Sequence, residues 1–342
     1  MTTVVLGAGA TRGASFTEKQ ICKPPLNSDF FAQLQKVQHS KHDPVIRQVI
    51  EDTATLFSPS VALTLEECFT SVEGLADILK LRQRRTESQR RDRINQMRKN
   101  LIQAIASVFE ESLCDRFVAR YDAKTCEYHK TLVASLEKRD TILSFNYDCL
   151  IDQHLKQFGS GKWCARYGYG LPPRWRYPGV NYWESSKPSS GRESIMLLKL
   201  HGSLNWQVDE ANRSVQFKTR PYTRQYGNMR FSIIPPEVRK VVRPPYKKLW
   251  ERAARALGNT DVLVFVGFSF IATDIEALSL FRIMTNTKLR RLIIVNPDPT
   301  ARRRTKEVLT KSISASTRML DFDSLAEYAI FLDSTMVKGS PT

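Results

Sequence analysis

Five short polar clusters, each placed directly after an apolar run, are where this sequence could do chemistry. They are GAGAT at 7–11, NYD at 146–148, HGS at 201–203, GFS at 267–269 and NPD at 296–298. Glycines after an apolar strand let a backbone approach a pyrophosphate closely, and a following helix N-terminus attracts its negative charge. The spacing Gly7, Gly9, Gly13 departs from the dinucleotide fingerprint, because Arg12 stands where the third glycine belongs. No acidic residue closes a second strand about twenty positions later to take a ribose hydroxyl, which disfavours a hydride-transferring dehydrogenase. Asn146 and Asp148 read in two ways, as Asx-turn residues that stop a strand or as groups that orient a ligand. His201 is open to the same division between a hydrogen-bonded structural histidine and a base. Ser203 lacks the G-x-S-x-G setting of a nucleophilic serine.

The elements that must position these clusters are apolar runs at 3–6, 140–145, 195–200, 261–268 and 291–296. Near-continuous apolar strands alternating with helical pattern predict an α/β fold, a Rossmann-like, doubly wound parallel sheet with both faces covered. Ligands of such sheets bind at the carboxyl ends of the strands, so all five clusters are expected on one rim. Residues 29–139 show apolar positions three and four apart and read as an inserted helical subdomain. The core is then 1–28 with 140–335, and 336–342 is a frayed tail.

Within the insertion, the charge run at 81–100 is either a solvated helix or loop or an electrostatic docking surface. The segment 158–193 is broken by Gly, Pro and Ser yet rich in Trp and Tyr, and its length suggests a lid or an oligomer contact. A β-hairpin is expected near WQVDEANRSVQFKTR at 206–220.

Composition narrows the setting. The 342 residues, 42% hydrophobic, can bury a substantial core. A formal net charge of +17 favours an anionic partner, whether nucleic acid, an acidic protein surface or a phosphorylated small molecule. The six cysteines show no C-x-x-C pair and read as reduced thiols. No apolar run is long enough for a bilayer span, and the first strand begins too early for a leader ahead of it, so a cytoplasmic protein without membrane contact is expected.

Taken together, GAGAT at 7–11, FNYD at 145–148, LHGS at 200–203, VGFSF at 266–270 and IVNPD at 294–298 resemble the sirtuin-like NAD-consuming family. The resemblance is to its prokaryotic antiviral-defence branch. Deacylating members carry a four-cysteine zinc module after the histidine motif, whereas 204–261 here contains no cysteine. The resemblance therefore implies NAD hydrolysis without a metal, and makes a protein deacylase the weakest alternative. It implies that Gly7, Ala8, Gly9 and Thr11 line the pyrophosphate, with Arg12 pairing a phosphate oxygen. Gly267 and Ser269 would flank phosphates and ribose from the opposite loop, and Asn296 would meet the adenosine ribose. Asn146 would hold the nicotinamide ribose or orient water, Asp148 would take the carboxamide, and His201 would be the general base, neutral near pH 7 at its ordinary pKa of about 6.5.

The family likeness further implies an effector of anti-phage defence, controlled by a partner or by assembly into a homo-oligomer. The rival from another class is a basic subunit that docks nucleic acid or a HerA-type ATPase, its nucleotide pocket serving as a sensor. Arg82 to Lys99, ARRRTK at 301–306 and the aromatic segment carry that alternative.

Overall fold

The apolar runs become one sheet because a strand covered on both faces needs apolar side chains at every position. The structure, a computed structural model, describes residues 1–338 apart from 39–42, 58–62, 82–87, 115–123, 191–192, 223–231, 237–241, 272, 285 and 287. In chain order the strands are β1 (Thr2–Leu6), β2 (Thr141–Ser144), β3 (Met196–Lys199), β4 (Gly202–Ser203), β5 (Trp206–Asp209), β6 (Ser214–Phe217), β7 (Ser232–Ile233), β8 (Val262–Val266), β9 (Arg291–Val295) and β10 (Arg318–Phe322). The helices are α1 (Ala8–Arg12), α2 (Phe30–Leu34), α3 (Pro44–Leu56), α4 (Leu65–Leu81), α5 (Ser88–Leu113), α6 (Glu127–Ser135), α7 (Leu150–Phe158), α8 (Ala165–Gly168), α9 (Tyr246–Asn259), α10 (Ile275–Arg282), α11 (Pro299–Leu309) and α12 (Leu325–Lys338).

Six strands form one sheet in the order β10-β9-β8-β1-β2-β3, with every pairing parallel. The fold is α/β and Rossmann-like. Val4 lies opposite Ile142 on one side and Val264 on the other, and all three are fully buried. Each such side chain contributes about 1.5–3 kcal/mol through the area it removes from water. From β1 the chain builds outward through β2 and β3, and β8 later starts the other half through β9 and β10. The reversal falls between β1 and β8, so a crevice opens at their carboxyl ends.

Helices α2, α3 and α4 pack around α5, and α6 packs on α7 and α12. Local signals start several of them. Thr64 and Glu67 exchange hydrogen bonds of 2.9 and 3.2 Å in a capping box ahead of α4, and Asp43 and Asp298 cap α3 and α11 with proline at the first helical position. The charge run becomes the first half of α5 from Ser88, with Arg90, Arg93 and Lys99 exposed, while 82–87 lies outside the described residues. Helix α12 runs to Lys338, three residues into the segment read as a tail, and 339–342 lies outside the described residues.

In the segment 158–193 the largest rings do not stand free, because they join the main hydrophobic core. Trp163, Tyr169 and Trp183 have no exposed surface. Tyr169 packs edge-on against Trp163 at 5.2 Å and against Trp206 of the β5–β6 hairpin at 5.6 Å. The indole nitrogens donate to the carbonyls of Trp183 and Lys218. Rings held this way are not platforms for bases. All six cysteines are buried thiols, none in a disulfide. Among the described residues no helix is long and apolar enough to cross a membrane.

Candidate functional site at the switch point of the sheet

The turn after β1 and the turn after β8 touch backbone to backbone. Gly7 N–H donates to Val266 O at 3.1 Å, Gly9 N–H to Gly267 O at 2.9 Å, and Gly267 N–H to Val295 O at 2.8 Å. Gly267 has φ +56°, and a Cβ on it would overlap the Gly9 and Ala10 backbone. A Cβ on Gly9 would lie 2.7 Å from Gly267 Cα, and one on Gly7 2.5 Å from Gly267 O. Three of the motif glycines are therefore required for the loops to meet. Gly9 directs its amide at Gly267 in this arrangement, so closeness of backbone, not that N–H, is what this glycine supplies.

A buried side-chain network fixes the turn after β2 to the same place. Asn146 Nδ2 donates to Gly7 O at 2.8 Å and to Thr11 Oγ1 at 3.1 Å, which requires the amino group of the amide to face them. Thr11 Oγ1 donates to Asp148 Oδ2 at 2.8 Å, and Asp148 Oδ1 accepts from Leu150 N at 2.9 Å at the start of α7. Thr11, Asn146 and Asp148 are 3%, 9% and 2% exposed, so each bond forms in a low-dielectric setting where it orients its groups strongly. With both amide protons of Asn146 engaged, its oxygen is the group that can accept from a ligand hydroxyl. Both Asp148 oxygens hold the loop.

His201 follows β3 and is 6% exposed. Gly202, at φ +83°, makes the sharp turn beyond it. The imidazole is edge-on to Phe145 at 5.1 Å and tilted against Trp250 at 6.3 Å and Tyr147 at 6.4 Å. Its Nε2 lies 3.7 Å from Asp274 Oδ2. Phe145 also contacts Phe268 at 4.8 Å, which joins the histidine to the turn after β8. A base in such a box is shielded from water.

At the other end of the crevice Asn296 Nδ2 donates to Phe268 O at 3.1 Å and Ser269 Oγ at 3.4 Å, and its Oδ1 accepts from Asp298 N at 3.0 Å. From α11, Arg302 donates to Asn296 O at 2.6 Å and Arg304 to Phe270 O at 2.9 Å. Ala8 and Ser269 are exposed at the mouth. Arg12 turns aside, paired with Asp29 and donating to Pro24 O at 2.6 Å. The structure thus gathers Gly7, Gly9, Thr11, Asn146, Asp148, His201, Gly267 and Asn296 on one rim and directs Arg12 toward the segment before α2.

Sequence reasoning missed the support beneath the rim. Lys199 and Asp152, both without exposed surface, pair at 3.1 Å; Lys199 also donates to Asp148 O, and Tyr169 OH donates to Asp152 Oδ1 at 2.8 Å. Burial alone pulls the Lys199 ammonium down, but Asp152, Cys149 and Asp148 outweigh it and raise its pKa. Burial, reinforced by Asp152, raises the Tyr169 phenol, so it stays a donor. Burial also raises the Cys149 thiol, which removes it as a nucleophile. The signal was a lysine inside the apolar run IMLLKL, which only a buried counter-charge allows. Asp274 was missed as well, since it lies some residues past its strand.

Two surface clefts lie away from this rim. One, of about 440 Å³, sits between α3 and α5 with Asp52, Arg93 and Asn100, and one of about 430 Å³ at Asp261, Lys288 and Arg290 lies at the opposite, amino-terminal edge of the sheet. The chemistry-bearing side chains converge at the carboxyl edge, which decides the assignment. Among the described residues no group of three or more His, Cys, Asp or Glu is placed to hold a metal ion.

No curated protein matches the chain. A solved structure described as "Structural Basis for the Mechanism and Regulation of Sir2 Enzymes" aligns with 99% of this chain and 93% of that chain at 13% identity and a TM-score of 0.40, a likeness too loose to carry an argument. A family model for the SIR2-like domain matches residues 140–316, just over half of the chain. Four of the five rim clusters, from Asn146 to Asn296, fall inside that match, and the chain belongs to the SIR2-like domain family.

Proposed function

We propose that this protein is an NAD+ glycohydrolase that cleaves the bond between nicotinamide and ribose to give nicotinamide and ADP-ribose. Family membership supports NAD-dependent activity. The observation that carries the finer reading is the pairing of an oriented Asn146 amide with a shielded His201 imidazole on neighbouring loops of one crevice. The glycine contact of the first and β8 turns and the absence of side chains there fit the close approach of a dinucleotide backbone.

In this mechanism the C1′–N1 bond breaks and its electron pair stays on the nicotinamide ring, which thereby loses its positive charge. Water adds to C1′ of the oxocarbenium-like sugar, and its proton passes to His201. The Asn146 oxygen orients that water or a ribose hydroxyl. A positioned base contributes about 10²–10⁴-fold, and orientation in the crevice supplies much of the rest. Gly7, Ala8, Gly9, Thr11, Gly267, Ser269 and Asn296 would line the dinucleotide. Asp148 would act through its hold on Thr11 unless it exchanges that hydroxyl for the carboxamide. Arg12 would reach a phosphate only by leaving Asp29.

Unchecked hydrolysis would drain a cell of NAD, which supports a defence effector held in check by assembly or by a partner such as a HerA-type ATPase. The rival nucleic-acid reading keeps its charge but loses the buried Trp163, Tyr169 and Trp183 as stacking surfaces. The test is NAD+ turnover by His201→Ala and Asn146→Ala. Each variant should fold, bind ADP-ribose and release nicotinamide at least 10²-fold more slowly. Near-normal release by either would remove that residue from the chemistry.

A further inference from the structure

Between the crevice and the helical layer lies a side chain that the catalytic pair does not account for. Asp274 precedes α10 and divides its carboxylate: Oδ1 accepts from Ala277 N at 3.4 Å, capping the helix, and Oδ2 faces His201 Nε2 at 3.7 Å. Both side chains are largely buried, at 7% and 14% exposure. The neighbouring residue ties this corner to the helical layer, because Thr273 Oγ1 donates to Glu66 Oε2 of α4 at 2.7 Å. Glu66 is itself buried and its N–H donates to Asn27 Oδ1 at 2.8 Å.

We propose that Asp274 is the positioning residue of His201, and that Glu66, through Thr273, sets where Asp274 stands, so that the helical layer adjusts the base.

The physics follows from where charge appears. When the imidazole accepts a proton, a positive charge develops in a box of Phe145, Tyr147 and Trp250, away from water. A carboxylate at 3.7 Å, itself favoured by the helix N-terminus it caps, is placed to stabilise that charge. Among the described residues, Tyr147 donates its hydroxyl to Ile234 O at 2.8 Å, and Asp274 is a carboxylate that faces the ring. At 3.7 Å the pair exceeds hydrogen-bond length, so a small movement of α10 would tighten or release it. The Thr273–Glu66 bond is what resists such a movement.

The inference rests on the proposed hydrolysis, and two readouts keep the two apart. One is kcat and KM for nicotinamide release from NAD+; the other is the NMR titration of the His201 ring in the unliganded protein. Asp274→Asn should lower kcat by about 10–100-fold with KM nearly unchanged. Its imidazole should lose its proton at lower pH than in the wild type, because the carboxylate favours the charged ring. Asp274→Glu should recover part of both effects, and Thr273→Val, which leaves the carboxylate in place, should reproduce the fall in kcat more weakly. Unchanged kcat and ring titration in Asp274→Asn, beside an active wild type, would overturn the inference. A wild type without nicotinamide release would overturn the hydrolase reading, while the ring titration would still decide whether Asp274 governs the imidazole.

Discussion

Thr11 is the member of the buried side-chain network with the least latitude. Its single hydroxyl donates to Asp148 and accepts from Asn146, so it joins the turns after β1 and β2 in one buried step. Thr11→Val keeps the shape and removes both bonds, leaving a buried carboxylate oxygen and amide proton unpaired at about 1–3 kcal/mol each. The expected outcome is a lower unfolding midpoint in urea together with slower turnover, whereas Thr11→Ser should retain most of both. Equal behaviour of the two variants would show that the hydroxyl does not organise the loop. At this scale the sequence was informative about residue types and poor about partners. The residues Asn146, Asp148 and His201 stand out because each ends an apolar run. Nothing in their spacing shows that Thr11 lies between two of them, that Arg12 turns to Asp29, or that Asp274 faces the histidine, since those contacts join positions more than seventy residues apart or loops without periodicity.

Among the elements, the turn after β8 bears the heaviest constraint. Gly267 combines a left-handed backbone with direct contact against Gly9, so Gly267→Ala incurs both strain and overlap, about 2–5 kcal/mol in all. A thermal melt should show a clear fall, and ADP-ribose binding measured by calorimetry should weaken because the first turn is displaced. A melt and affinity equal to the wild type would mean that the two turns do not depend on each other. Five of the six strands of the sheet, β1, β2, β3, β8 and β9, were legible because buried parallel strands are apolar throughout, and the hairpin β5–β6 because its turn residues are polar. Strand β10 was not legible: it is an edge strand, with Arg318, Met319 and Asp321 exposed, so its composition resembles a loop. The aromatic segment misled for the opposite reason. Its Gly and Pro residues suggested an open loop, but Tyr169 packs on Trp206 of the hairpin, Trp183 donates to Lys218 O just past it, and Trp163 is held by Tyr169 and Trp183, which sequence periodicity cannot reveal.

At the scale of the whole molecule, acid should loosen the junction between the helical layer and the sheet. His129 on α6 and His154 on α7 lie 5.6 Å apart, ring to ring, with Cys126 between them. Burial lowers the His129 pKa to about 4, against a small opposing pull from Asp148. Burial also lowers His154 to about 4, helped by His129. Because both rings bind protons more readily when unfolded, their contribution is complete above pH of about 6.5 and is lost as pH falls toward 4, on the order of 3 kcal/mol each. Urea unfolding at pH 7, 5.5 and 4.5 should therefore show declining stability, less steeply in His154→Gln; a flat profile would contradict the burial of neutral rings.

Several basic side chains of α11 are engaged within the chain, since Arg302 pairs with Asp323, Lys306 lies 2.5 Å from Asp321 and Arg304 holds Phe270 O, yet the formal net charge stays at +17. On α5 Arg90 and Lys99 are exposed, while Arg93 pairs with Asp52 at 3.3 Å, and we propose the two exposed groups as contacts for an anionic partner. Any such binding should weaken steeply between low and moderate salt.

The central claim is that the crevice at the sheet's switch point breaks a glycosidic bond in NAD+. The most direct measurement is chromatographic resolution of the products after NAD+ is incubated with the purified protein, alone and with candidate anionic or protein partners. The account predicts nicotinamide and ADP-ribose in equal amounts, abolished in His201→Ala. Intact NAD+ under all these conditions, or nicotinamide release that persists without the imidazole, would contradict it.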